Sequence, residues 1–522
     1  MKIAFKELET AGNNIQVSFD NKNTFENYDK NTALTDGIPV PNECTNLDNI
    51  VVKTDELESS NLIYEVSTDL FSQGNLSSKL DTRIKKLKIP DGVTTISKRT
   101  FYDCNNLTSI EIPESVTSIG GNAFQNCSGL TSINIPDGVT SIGPSAFGGC
   151  SSLTSINIPD GVTSIGDGAF SRCTGLTSIN ISNSVTFIGS HAFNYCSSLM
   201  SIEIPNTVTY IAYAAFWNCS SLASVTIPNS VTSIGNSAFE GCSSLVSINI
   251  PESVTSIQSC AFQDCVSLTS ITIPDSVTSI GEYTFCGCNN LTSINIANTN
   301  KKYSSDEYAL YNKDKTKILE LYNQSINTFT IPNTVTSIGE GAFYSCSSLT
   351  SINISEGVTS IGEYAFNKCS SLTSIHIPDG VTSIDYGTFS SCSSLTSIEI
   401  PESVTSIGEN AFSECSNLVN ITIPESVTSI GEEAFYSCSS LTSINIPDSV
   451  TSIDVYAFSG CSNLTSISIP KSVTSIGDGT FNDCSKLISI NYKGTEEQWN
   501  NITKDNYWNN NCPAVINYNY VE

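Results

Sequence analysis

Along most of the chain a short run of alternating apolar and polar residues gives way to wider apolar spacing, and the whole pattern returns every 23 residues. The unit approximates C-S-S-L-T-S-I-N-I-P-x-S-V-T-S-I-G-x-x-A-F-x-x and recurs from about residue 87. Its clearest marker is the Phe column, Phe101 to Phe285 and again Phe343 to Phe481, each 23 residues from the last within its run. Val-x-x-Ile pairs (Val93/Ile96 to Val277/Ile280, then Val335/Ile338 to Val473/Ile476) and Ile-x-Ile pairs such as Ile110/Ile112 keep the same step.

Within one unit, L-T-S-I-N-I carries the period-2 pattern of a half-buried strand, which predicts one rung of a parallel sheet. The Pro that follows (Pro113, Pro136, Pro159 and equivalents) has no N–H to donate, so it ends the ladder and turns the chain. V-T-S-I-G points Val and Ile inward, and its Gly is expected to allow a backbone turn that a Cβ would strain. The segment x-x-A-F-x-x-C reads as a short helical or 3₁₀ turn with Ala and Phe on the core side. No unit can bury its own Leu, Ile, Val and Phe, so neighbouring units stack and share one core. The predicted fold is a repeat solenoid. It is a right-handed, leucine-rich-repeat-like stack of about 17 coils, with a parallel β-sheet on its concave face and short strands and 3₁₀ turns on the convex side.

The repeat L-x-x-I-x-I-P-x-x-V-x-x-I-G-x-x-A-F-x-x-C resembles that of the BspA-type (Treponema-pallidum-type) leucine-rich repeat proteins, over roughly residues 87–495. The resemblance implies a non-catalytic protein-binding or adhesion module, since that family includes bacterial surface adhesins. It also implies a cell-surface or secreted location. A structural spacer or shell protein displaying its N-terminal region or a hairpin is the alternative reading.

Departures from the repeat divide the chain. Residues 1–86 lack it and read as a non-repeat N-terminal region, expected to be partly β (IQVSF, NIVVKT) and partly disordered, ending in a cap. Repeats follow over 87–296 and 332–490, and 491–522 reads as a C-terminal cap, in which G-T-E-E-Q-W resembles the closing segment of bacterial family members. Such caps are expected because an open solenoid end exposes apolar core and unpaired strand edges. Between Phe285 and Phe343 the spacing is 58, so residues 297–331 form one 35-residue unit. There Tyr308–Tyr322 places two alternating runs around Asn-Lys-Asp-Lys-Thr, the pattern of a β-hairpin. Its tyrosines Tyr308, Tyr311 and Tyr322 are candidate binding residues if the hairpin protrudes.

Composition narrows the partners. Acidic residues outnumber Lys+Arg by 51 to 23, a formal charge of -28. Such a chain repels phosphate backbones and anionic lipid, so the expected partner is a protein or glycan, with no nucleic acid and no membrane insertion. The segment MKIAFKELETAGNNIQVSF lacks the apolar stretch of a secretion signal, and nowhere does an apolar run reach the length of a transmembrane helix. A cytoplasmic location therefore stays open.

Chemistry is sparse. Sixteen of the 20 Cys fall in one repeat column, Cys104 to Cys484, as a ladder of small buried groups. Cys44, Cys260, Cys286 and Cys512 lie outside it, and Cys260 and Cys286 take variable slots expected to be more exposed. With no C-x-x-C and only 2 His, no metal site or cofactor is expected. His191 and His376 lie in distant coils with no local nucleophile, and Glu111 and Glu203 are four rungs apart, about 19 Å, too far for paired glycosidase carboxylates. The chain is therefore not read as an enzyme, and no catalytic residue is assigned.

The exposed strand column (Glu111, Asn134, Asn157 and equivalents) forms a uniform Ser/Thr/Asn ladder that can specify little. One irregular place stands out. Phe187 and Tyr210 replace the usual Ser of V-T-S-I in consecutive coils, with Tyr195, Tyr213 and Trp217 close in sequence. These five are the candidate binding surface, because exposed aromatics concentrated in adjacent rungs have hot-spot composition.

Overall fold

Each unit forms one turn of a parallel β-solenoid with two short strands, as the two apolar runs predict. A computed structural model describes residues 85–505 and 507–521, Leu76, and the backbone of six short strands between residues 2 and 65. The chain divides into two units, Met1–Cys265 and Val266–Glu522.

In the first unit, Ser155–Ile158 runs parallel to Ser178–Ile181 with Ile156 opposite Ile179, and Ser outward. The second strands make a separate ladder through Thr95–Ile96, Ser118–Ile119, Ser141–Ile142, Ser164–Ile165 and Phe187–Ile188. The second unit repeats the plan, for example in Ser443–Asn445, Ser466–Ile469, Ser489–Tyr492 and Val515–Asn517. Ile63–Glu65 also pairs in parallel with Lys86–Lys88. With a turn added at each end, the stack among the described residues counts about 19 turns rather than about 17.

The A-F turn completes the coil in an unusual way. Its N–H groups alternate: Ala123 and Gln125 donate three residues back, to Gly120 and Asn122, while Asn122, Phe124 and Asn126 donate to the next coil. The i→i+3 bonds of a 3₁₀ turn thus occur only at every second residue. Two positions per coil are left-handed, one before Ala-Phe (His191 φ 57°, Ala214 φ 51°) and one before Cys (Arg172 φ 61°, Tyr195 φ 58°). Inward of them the Phe rings stack at 5.1–5.7 Å from Phe101 to Phe262 and at 5.0–5.9 Å from Phe343 to Phe481. From Cys127 to Cys265 each ladder thiol donates to the Phe carbonyl of the preceding coil, at 3.0–3.2 Å.

The glycine of V-T-S-I-G has a different role from the one expected. Gly143 and Gly166 do not sit at positive φ; a Cβ on them would come within 2.5 and 2.6 Å of the backbone nitrogens of Gly121 and Pro144 in the preceding coil. The glycine is there for close approach between coils. Ala212 and Gln258 take this place in the first unit; the second-strand ladder is interrupted at Ala212, Phe187–Ile188 and Tyr210–Ile211 lying in separate sheets, whereas Ser256–Ile257 beside Gln258 stays paired with Ser233–Ile234.

A second glycine rule emerges at the left-handed position before Ala-Phe. Where one coil carries Tyr there, the next carries Gly, and a Cβ on Gly341, Gly387 or Gly479 would strike the ring of Tyr283, Tyr364 or Tyr456. Gly479→Ala is expected to lower stability by about 2 kcal/mol, from the left-handed φ together with the clash. Tyr456→Ala in the same chain should restore part of that loss in urea melts. Strictly additive losses would show that the ring does not press on Gly479.

The long unit forms a hairpin, Ala309–Asn312 antiparallel to Lys317–Leu321, but the hairpin does not protrude. Lys317–Leu321 joins the second-strand ladder in parallel with Ser337–Ile338. Its tyrosines serve the core: Tyr311 and Tyr322 are buried, and half-buried Tyr308 packs edge-on against Phe329 at 6.3 Å. As binding residues they are therefore corrected, because alternation along strands that are stacked into the solenoid turns Tyr311 inward. Cys286 is corrected too. It is 3% exposed, its Sγ 3.6 Å from the Tyr344 carbonyl, because the residue after Phe faces the neighbouring coil; Cys260 is half-buried.

At the C-terminus Thr495 caps the helix Glu496–Asn501 through a capping box with Gln498. Buried Trp499 meets Tyr492 at 5.2 Å, and Trp508 meets Phe481 edge-on at 6.1 Å, ending the Phe stack.

Candidate functional site

The sheet faces offer little unsatisfied polarity. Thr117, Thr140, Thr163 and Thr186 each donate their hydroxyl to the Thr carbonyl one coil back, and Asn180 donates to Asn157 at 2.7 Å. A ladder that satisfies itself has few groups left to discriminate a ligand. His376 is exposed and lies 3.0 Å from Glu356.

The turn face of residues 172–217 differs. His191 and Tyr195 take the two left-handed positions of one coil, Tyr213 and Trp217 each stand one residue before the left-handed Ala214 and Asn218 of the next, and there the rings meet. Tyr195 and Trp217 contact edge-on at 5.0 Å, His191 lies edge-on to Tyr213 at 4.8 Å and 6.3 Å from Trp217, and the Arg172 guanidinium sits 5.0 Å from the centre of Tyr195. Tyr213 is 47% exposed, while Tyr195, Trp217 and His191 are half-buried. Beside them Asn194, only 8% exposed, donates toward His191 Nδ1 at 3.4 Å, and its Oδ1 has no hydrogen-bond partner among the described residues.

Of the five expected residues, the structure joins Tyr195, Tyr213 and Trp217. Phe187, 49% exposed, and Tyr210, 37% exposed, stand instead on the second-strand face, opposite Ser164 and Ser233 in register. No ring contact among the described residues links them to the other three. They flank the interruption at Ala212, and the Tyr210 hydroxyl lies over Gly235, where burial raises its pKa. Arg172 and His191 were missed by sequence reading. Arg172 is one repeat before Tyr195, so column arithmetic alone would have set it beside that ring.

Burial pushes the ladder thiols up, Cys173 and Cys219 to about 12, which suppresses the reactive thiolate. No group of three His, Cys, Asp or Glu placed to hold a metal ion occurs among the described residues. None of their helices is long and apolar enough to cross a membrane.

The family model described as BspA type Leucine rich repeat region, of 6 copies, matches residues 78–200, 187–317, 319–418 and 387–513. Among solved structures, the chain is similar to a leucine-rich cell surface protein from Faecalibacterium prausnitzii, with 28% identity, 87% of this chain and 96% of that one covered, and a TM-score of 0.45. It is similar to a leucine-rich repeat protein from Eubacterium ventriosum, with 28% identity, 68% and 83% covered, and a TM-score of 0.44. It is also similar to the T. pallidum leucine-rich repeat protein, with 30% identity, 36% and 87% covered, and a TM-score of 0.31. No curated protein matches the chain.

Proposed function

Given that this chain belongs to the BspA-type leucine-rich repeat family, we propose that it is a non-catalytic adhesive scaffold whose turn face at residues 172–217 binds a protein partner. The observation that carries this reading is the linked group Tyr195, Trp217, His191 and Tyr213, with Arg172 stacked on its edge. Aromatics and Arg dominate binding hot spots because they bury large areas at low entropic cost while keeping a polar end. Phe187 and Tyr210 form a second, flatter pair on the adjoining strand face.

The test is a binding screen of the intact protein against purified extracellular proteins and a glycan array. Any interaction found is then compared with Tyr213→Ser/Trp217→Ser and, separately, Phe187→Ser/Tyr210→Ser. The first double variant is expected to weaken a protein interaction at least about tenfold, two hot-spot truncations together exceeding about 1.4 kcal/mol. Undiminished binding by it would remove the turn face from consideration, and binding confined to glycans would replace the protein partner. An absence of binding throughout would favour a spacer that displays other parts of the chain.

A further inference from the structure

The unit Val266–Glu522 carries a second feature on its turn face, independent of the Trp217 cluster. In five coils of this unit the residue after the V-T-S-I-G glycine is Glu282, Glu340, Glu363, Glu409 or Glu432, all exposed, while Tyr386, Val455 and Asp478 take the equivalent place in three others. Coils of the first unit place Gly121, Pro144, Asp167, Ser190, Tyr213 and Asn236 there, so the repeat itself does not demand an acid. Backbone bonds from Gly341 to Glu363, Gly387 to Glu409 and Asn410 to Glu432 fix these positions one coil apart.

Tyrosines lie between the carboxylates. Tyr283 meets Tyr344 edge-on at 5.4 Å, and Tyr364 meets Tyr386 edge-on at 4.8 Å. Gly341 and Gly387 leave room for the rings of Tyr283 and Tyr364 to lie against the backbone, which orders them before any ligand arrives. Tyr283 donates to Glu340 at 3.3 Å; burial, and then the nearby Glu282 and Glu363, push the Glu340 carboxyl up. The negative charges here oppose one another, and an added cation would relieve them. Cations of the chain already sit along the stripe: Lys317 offsets part of the charge at Glu340, and the Lys368 ammonium lies 2.8 Å from the Tyr344 hydroxyl and 5.1 Å from the centre of its ring.

Carboxylates spaced one per coil do not converge as metal ligands do, whereas ordered ring faces alternating with them suit guanidinium and ammonium groups carried on a chain. We propose that this Tyr/Glu stripe, from Glu282 to Glu432, is a docking surface for a Lys/Arg-rich polypeptide segment. Charge complementarity favours that occupant, and the hydrogen bond from Lys368 to the Tyr344 hydroxyl is one ammonium–tyrosine contact already made within the molecule.

The chain's charge of -28 attracts any polycation, so the test must separate this surface from the general field. A fluorescent oligo-arginine peptide is titrated with the full chain and followed by anisotropy. Glu340→Gln/Glu363→Gln is compared with Glu402→Gln/Glu425→Gln, which removes the same charge from two exposed carboxylates outside the stripe in the same unit. The stripe pair is expected to weaken binding about tenfold and the control pair by no more than about twofold. Tyr386→Ser should cost about threefold by removing a half-buried ring and its hydroxyl acceptor. Glu340→Asp/Glu363→Asp, which keeps the charge, should bind within about twofold of the parent and so exclude misfolding as the cause. Equal weakening by the two Gln pairs, or full affinity in Tyr386→Ser, would overturn the proposal.

Discussion

Phe412→Ala is expected to destabilise the second unit by about 3–5 kcal/mol, the usual cost of emptying a buried aromatic site that cannot collapse. The ring is completely buried and stacks on Phe389 and Phe435, each at 5.4 Å. Its backbone is committed as well: the Phe412 N–H donates to Ala434 at 2.8 Å and its carbonyl accepts the Cys438 thiol at 3.2 Å. Those bonds hold the cavity walls apart, so relaxation would have to break them. In a stack where each coil touches only its neighbours, the loss also weakens the two interfaces that Phe412 shares. Urea melts should therefore broaden, and hydrogen exchange should accelerate first in the coils around Phe389, Phe412 and Phe435. The exposed Phe187→Ser serves as the comparison and should stay within about 0.5 kcal/mol of the parent. A loss below about 1 kcal/mol for Phe412→Ala would mean that the Phe column fills space without holding coils together.

That prediction rests on a column plain in the sequence. Phe, Val, Ile and Cys repeat in phase because each must meet its own copy one coil away, and a contact between equivalents leaves a period that can be counted. The positions that were not legible depend on contacts between unlike residues. Tyr364 over Gly387 needs two coils compared at once, and each residue looks ordinary within its own repeat. The left-handed positions are hidden for another reason. Arg172, His191, Tyr195, Ala214 and Glu433 all occupy them, so composition gives no sign of a backbone that neighbouring coils impose. The hairpin was readable from its alternating runs. Whether Tyr311 faced solvent was not, because alternation says that neighbouring residues point opposite ways without saying which way is in. The candidate surface was half legible: Tyr195, Tyr213 and Trp217 do meet, while Phe187 and Tyr210 belong to another face of the same coils.

Stability that falls as pH rises is expected from Glu320, a buried carboxylate of the long unit. Phe N–H groups in regular coils donate to the Ala carbonyl of the next coil, as Phe343 does to Ala365 at 2.8 Å. Phe285 faces the long unit, and the two Glu320 oxygens, at 3.0 and 3.2 Å, accept its N–H instead. Glu320 is 5% exposed, and burial raises its pKa from 4.5 to about 8, the Phe285 N–H offsetting only part of the cost. The titratable Cys346 thiol faces it and is itself pushed up, by burial first and then by Cys286 and Glu320. Below about 4.5 the group is protonated in both folded and unfolded chains. Between about 4.5 and about 8 the unfolded chain releases this proton and the folded chain keeps it, so stability declines through that window and levels off above it. Each pH unit is worth about 1.4 kcal/mol while the difference is complete. Glu320→Gln keeps an acceptor for Phe285 and cannot ionise. The difference in melting temperature between variant and parent should therefore grow from pH 5 to pH 8 in the variant's favour and then hold steady, the remaining carboxylates cancelling because both chains carry them. Parallel melting curves across that range would show that Glu320 ionises in the fold as it does in water, and that the Phe285 N–H and local rearrangement stabilise the buried charge.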